Sequence, residues 1–269
     1  FNVTLGFTGV SATLGTTAGR ADSGNLDIDL EELVEDLATA MAKSKAGFGI
    51  FIDEMQDLDD ELLGALISVQ HLAGQKGWPF FIIGAGLPNL PGKLSATRSY
   101  SERLFDYRTI GALDHSSAAD AISLPMNKLG ARLDADALRT LVTAADGYPF
   151  FLQAYAKAAW DVTSSKTVNI DDATLTVEIG TEQLDAGFFR SRWQRATPAE
   201  RQYLRAMAED NDEASSTAQV ASRLNRAASQ LTVARSNLIA KGLIYAPDHG
   251  AVRFTVPGMS GFISRQYEE

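Results

Sequence analysis

The run Phe48-Gly-Ile-Phe-Ile-Asp-Glu-Met-Gln-Asp-Leu58 constrains this chain more than any other stretch. Its nearly continuous apolar residues have the pattern of a central parallel strand covered on both faces. In open α/β sheets such strands deliver polar side chains at their C-terminal edge, where ligands bind. Asp53 and Glu54 stand at that edge. Adjacent carboxylates there can divide the work that a bound polyphosphate requires: one holds the hydration shell of a Mg²⁺, the other orients an attacking water. The same pair also reads as two solvated acids that open a turn.

With 269 residues the chain is long enough for two or three domains with cores of ordinary size. Hydrophobic residues make up 45% and charged residues 22%, a globular composition. No stretch approaches the ~20 apolar residues of a membrane span and no signal peptide opens the chain, so a cytoplasmic protein with no membrane partner is expected. The absence of cysteine excludes disulfides, thiolate metal sites and a cysteine nucleophile. His71, His115 and His249 lack zinc-ligand spacing, so any metal is expected to be oxygen-ligated. A net charge of −10 argues against broad polyanion binding, while leaving room for one locally basic module. The first residue is Phe1, and Val3, Leu5 and Phe7 already alternate like a half-buried strand, which gives the expectation of a fragment.

After an opening strand or hairpin to about Leu14, Asp22 or Ser23 is placed to cap a helix. Its apolar face is Leu26, Leu30, Leu33, Val34, Leu37 and Met41. A second amphipathic helix is expected over Glu61 to Ala73, then a strand over Trp78-Pro-Phe-Phe-Ile-Ile83. Strand, helix and strand with short connections imply a right-handed crossover in a parallel sheet. Arg108 to Leu113 reads as a last sheet strand. From Asp114 to about Trp160 the apolar period is helical and predicts about three helices, followed by a polar connection over Asp161 to Thr176 and a helix over Leu184 to Trp193. Thr197-Pro-Ala-Glu200 has the spacing of a capping box. Three helices, the third over about Ala227 to Lys241, then precede two short strands around an Asp248-His-Gly250 turn, the order of a winged helix.

Asp53-Glu54 on one strand, Gly84 to Leu90 after the next, Arg103-Leu-Phe-Asp106 leading to Gly111-Ala-Leu113, Gly147-Tyr-Pro149 and Thr197 to Met207 occur in one order. Together they resemble the P-loop ATPases of the STAND and origin-recognition type, in particular actinobacterial AAA-family ATP-binding proteins, over essentially the whole chain. The resemblance implies an α/β fold with a partial P-loop NTPase parallel sheet core over 1–113, a helical lid over 114–192 and a C-terminal winged helix over 193–269. It implies ATP and Mg²⁺ as ligands. Asp53 matches the Walker B acid that orders the metal, and Glu54 the acid that activates water. Asn89 is the nearest candidate for the polar sensor 1 residue, although Gly84-Ala-Gly86 occupies the strand end where that group usually lies. Gly147 and Pro149 look like the lid element whose proline packs on adenine; they also read as a plain helix start. Arg103 can serve as an arginine finger toward a neighbouring subunit or as a surface ion-pair partner.

The pattern departs from the family at one place: nothing reads Gly-x-x-x-x-Gly-Lys-Ser/Thr. The Gly-rich segment Gly6 to Gly15 has no Lys, so the Walker A cradle is expected upstream, and this chain alone is expected to be inactive as an ATP hydrolase. For the winged helix, Arg226, Ser229, Gln230, Arg235, Lys241 and Arg253 are candidates for contacts with double-stranded DNA. Asp210, Asp212, Glu213 and Asp248 offset that charge. A winged helix packed against the nucleotide domain as a switch element, and a non-catalytic scaffold for self-association or another protein, remain alongside the DNA-binding regulator.

Overall fold

The computed structural model describes residues 3–7, 10–14, 20–42 and 45–266. The chain forms two compact units that divide between Arg108 and Thr109. In the first unit β1 (Val3–Phe7) and β2 (Val10–Leu14) pair antiparallel, Phe7 opposite Val10. Helix α1 (Leu26–Ala42) buries Val34, Leu37 and Ala38. Its first turn is capped by Asn25, whose Oδ1 accepts from the N–H of Asp27 and Ile28 at 3.0 and 3.3 Å. Of the expected caps, Ser23 has another partner: it donates through N and Oγ to Asp29 Oδ1, each at 2.7 Å.

Strands β3 (Phe48–Ile52) and β4 (Phe80–Gly84) pair in parallel, Ile52 opposite Gly84, and are joined through α2 (Asp60–Lys76). Asp59 caps α2 by accepting from Leu62 N–H at 2.8 Å, and Gly77 at φ 65° ends it in the left-handed region that glycine adopts without cost. Helix α3 (Leu90–Thr97) follows. Phe48, Ile50, Phe80 and Ile82 pack on Val34 of α1 and on Val69 and Ala73 of α2, while Ile52 and Ile82 join Met55, Leu63, Ile67, Leu90 and Leu94. All three helices therefore pack on one face. On the other, Phe51 is 72%, Phe81 45% and Ile83 51% exposed, so the expected cover on both faces is present on one. Arg108 to Leu113 forms no strand: Ile110 is 92% exposed, and without a pairing edge or a burying surface nothing holds this segment extended in a sheet.

The second unit opens with α4 (His115–Lys128), β5 (Arg132–Leu133), α5 (Ala135–Ala145), α6 (Pro149–Val162) and β6 (Thr167–Val168). The segment 161–176, expected to be a connection, contains the first half of α7 (Ile170–Leu184). Asn169 Oδ1 accepts from the N–H of Asp171 and Asp172 at 2.8 and 2.9 Å, and Asp172 Oδ2 accepts from Asn169 N–H at 3.2 Å. This capping box starts a helix whose exposed Ile170 and Leu175 blur its apolar stripe. A π-turn over Asp185–Phe189 carries α7 into α8 (Arg190–Gln194).

Then come α9 (Pro198–Ala208), β7 (Ser215–Ser216), α10 (Thr217–Arg223), α11 (Thr232–Ala240), β8 (Ile244–Tyr245), β9 (Ala251–Phe254) and α12 (Met259–Arg265). A 3-10 turn over Ala228–Leu231 precedes α11, where a single longer helix was expected. Antiparallel pairing gives the sheet order β7-β9-β8. Phe189 stacks on Phe262 of α12 with ring centroids 5.5 Å apart, and Trp193 meets the same ring edge-on at 6.4 Å. One hydrophobic core thus runs from α4 through α12.

Candidate functional site

The parallel register brings the ends of β3 and β4 level. Ala85 N–H donates to Ile52 O at 2.8 Å and Met55 N–H donates to Ala85 O at 2.9 Å, so the two exiting chains remain bonded beyond the strands. Between those bonds Glu54 adopts φ 50°, ψ 42°, a left-handed conformation uncommon for a residue with a side chain. Met55, 2% exposed, anchors the turn from below, in the core with Leu63 and Leu90. The sharp reversal leaves Asp53 and Glu54 exposed at the sheet edge. Asp53 Oδ1 accepts from Glu54 N–H at 2.9 Å, and Glu54 Oε2 accepts from Gln56 Nε2 at 2.6 Å.

Gln56 is a site residue that sequence reasoning missed. Its Oε1 accepts from Leu87 N–H at 3.0 Å, which connects Glu54 to the loop after β4. Asn89 ends that loop; its side chain does not cap α3, and its Oδ1 is buried without a hydrogen-bond partner. Arg103 is exposed at the end of a 3-10 turn over Ser99–Arg103. Asp53, Glu54 and the Asn89 loop are therefore brought together by hydrogen bonds, whereas Arg103 is not part of that network.

Gly147 and Pro149 lie in the second unit. Gly147 has φ 66°, and a Cβ there would collide with the Leu113 carbonyl, so the position requires glycine. Its carbonyl accepts from Leu113 N–H at 2.9 Å, and Pro149 occupies the first turn of α6.

The six candidates for DNA contact fall into different environments. Arg226 and Ser229 are exposed. Gln230 uses Oε1 to accept from Ala227 N–H at 3.0 Å, while Lys241 Nζ donates to buried Glu200 at 2.6 Å. Arg253 Nε donates to Asp212 O at 2.8 Å. Ser229 and Arg235, with Thr217, Thr232 and His249, line an open groove of 730 Å³ between the start of α11 and the β8–β9 turn.

Among the described residues no three His, Cys, Asp or Glu side chains gather into a metal cage. The two exposed acids fit a Mg²⁺ that keeps most of its waters and is shared with phosphate oxygens, the usual manner for this hard cation. A triphosphate is less well served, because the sequence holds no glycine loop with Lys to cradle it.

Residues 186–263 match a family described as a domain of unknown function, DUF8462. No curated protein matches the sequence. Among solved structures, the Walker-type ATPase PABY2304 of Pyrococcus abyssi is similar over 90% of this chain and 69% of its own, at 16% identity and a TM-score of 0.57. RuvB, the Holliday junction branch migration motor of Thermotoga maritima, is similar over 87% of this chain and 76% of its own, at 16% identity and a TM-score of 0.48. The likeness to the first is one of fold, and the fold is that of a P-loop NTPase. No helix among the described residues is long and apolar enough to cross a membrane.

Proposed function

We propose that this chain carries the acidic half of an ATP–Mg²⁺ site in a switch ATPase of the AAA/STAND type. The roles assigned along it are a sheet core over 1–113, a helical lid over 114–192 and a winged helix over 193–269, the last two sharing the one hydrophobic core of the second unit. Asp53 orders the Mg²⁺ and Glu54 orients the attacking water. One observation carries the reading: neighbouring carboxylates leave the end of a parallel strand through a left-handed Glu54 and are tied by hydrogen bonds to the loop after the next strand. Backbone strain of this kind concentrates at functional turns.

No Gly-x-x-x-x-Gly-Lys-Ser/Thr cradle stands in these residues, and the bare face of Phe51, Phe81 and Ile83 supports a further layer packed over the β3–β4 pair. The 269 residues by themselves are expected to bind Mg-ATP weakly, with no phosphate release above background. Calorimetry and a phosphate-release assay check this. Turnover by these residues that Asp53→Asn abolishes would show that they hold a complete site.

A second reading, contact with duplex DNA by the last module, is favoured by the open groove beside α11, which Ser229, Arg235 and His249 help to line. Against it stand the acidic partners of Lys241 and Arg253. If phosphates are contacted, affinity for a duplex falls steeply between 50 and 200 mM salt, by about tenfold or more for a few contacts. Absence of binding at low salt removes this reading.

A further inference from the structure

The turn after β3 and the loop after β4 are packed so closely that a Cβ on Gly86 would lie 2.5 Å from Gln56 Oε1. Through this contact the Gln56 side chain joins Leu87 N–H, at 3.0 Å, to Glu54 Oε2, at 2.6 Å. A carboxamide has one accepting end and one donating end. A backbone N–H can only donate, so Leu87 fixes the oxygen toward the loop and leaves the NH₂ facing the carboxylate. The Gln56 backbone is held as well: Lys93 Nζ donates to its carbonyl at 2.7 Å and also to the Leu58 carbonyl. The position of the 84–89 loop and the direction of the Glu54 carboxylate are thus the two ends of one hydrogen-bonded strut.

We infer that Gln56 is a positioning residue, coupling the loop after β4 to Glu54 so that a ligand touching the loop redirects the carboxylate. The inference rests on Glu54 being the water-orienting acid. Lys93 fixes the turn beneath the strut, and Asn89, with its unpartnered buried oxygen, ends the loop at the other side. Motion of the loop cannot leave Glu54 unaffected without breaking one of the two Gln56 bonds.

The coupling is tested by amide NMR on the 269-residue chain. Glu54→Gln is expected to shift the Leu87 amide resonance in the wild-type background and to leave it unmoved when Gln56 is leucine. Gln56→Met is the second variant, should Gln56→Leu not fold. It keeps the length of the side chain, removes both the acceptor for Leu87 N–H and the donor to Glu54, and is expected to uncouple the pair in the same way. An unresponsive Leu87 amide in the wild type, or an equal response in every background, overturns the strut. In a protein that supplies a phosphate cradle to these residues, Gln56→Met is expected to lower kcat by about tenfold or more while KM for ATP stays within about twofold, the split that marks loss of an interaction made in the transition state. An unchanged kcat overturns the positioning role. If the wild type with a phosphate cradle supplied shows no turnover, the reading of Glu54 fails and the positioning role fails with it, while the Leu87 response still decides whether the strut exists.

Discussion

Glu54→Gln, in a protein that supplies a phosphate cradle to these residues, is expected to reduce ATP turnover by about 10²- to 10⁴-fold, the usual contribution of a positioned general base. Mg-ATP affinity should be retained, because the amide is nearly isosteric and Glu54 is exposed at the strand end, where no core packing is lost. Asp53→Ala is expected to behave differently, weakening the Mg²⁺-dependent part of binding by removing the acid that holds the metal's water shell. The pair of variants separates the two carboxylates: one stops chemistry at constant affinity, the other lowers affinity. Single-turnover phosphate release with nucleotide binding measured in the presence and absence of Mg²⁺ reads both. Equal turnover by both variants and wild type would end the assignment.

Lys241→Met is expected to destabilise the second unit by about 2 kcal/mol near neutral pH. Breaking a buried ion pair costs about 3–5 kcal/mol, reduced here because the Lys241 side chain keeps 32% exposure against 3% for Glu200. The pH dependence provides a sharper check. Burial by itself would push the Glu200 carboxyl up. The Lys241 ammonium and the Thr197 N–H, at 2.6 and 2.7 Å, outweigh it and hold the carboxyl below its usual value. A carboxyl lowered in the folded state contributes stability that is complete above the usual carboxylate range and is lost as pH falls through the folded value. With Lys241 replaced, only the Thr197 hydrogen bonds oppose burial and the Glu200 carboxyl rises. The variant should then lose less stability than the wild type as pH falls through the carboxylate range. Urea unfolding across pH 4 to 8, followed at core amides of α9, measures the sign; parallel pH profiles would show that Lys241 does not hold Glu200.

Much of the architecture was readable because it depends on local periodicity. The stripe from Leu26 to Met41 specified α1, the apolar run ending in Asp53 and Glu54 specified β3 and its edge, and Thr197 with Glu200 specified the start of α9. What escaped depends on partners distant in the sequence. An apolar run reports that β3 tends to bury, yet says nothing of which face finds helices, so the exposure of Phe51 could not be read from it. The beginning of α7 was hidden because Asp171, Asp172 and the threonines resemble a loop until Asn169 is recognised as a cap. Lys241 reads as a free surface cation, and only the fold reveals its acid 41 residues earlier in the chain. Gln56 carries no periodic signal: its reach to Glu54 depends on the left-handed turn, and its reach to Leu87 depends on strand pairing.

The bare side of β3 and β4 also bears on how copies of the chain behave at high concentration. Phe51, Phe81 and Ile83 form an oily patch on a short pleated ribbon, the kind of surface on which polypeptides coalesce. The excess of acids, −10 in all, makes copies repel one another and slows such coalescence in dilute buffer. Added electrolyte shortens the range of that repulsion to about 8 Å at physiological ionic strength while leaving the oily patch intact. Colloidal stability of these residues is therefore greatest where the ionic strength is lowest.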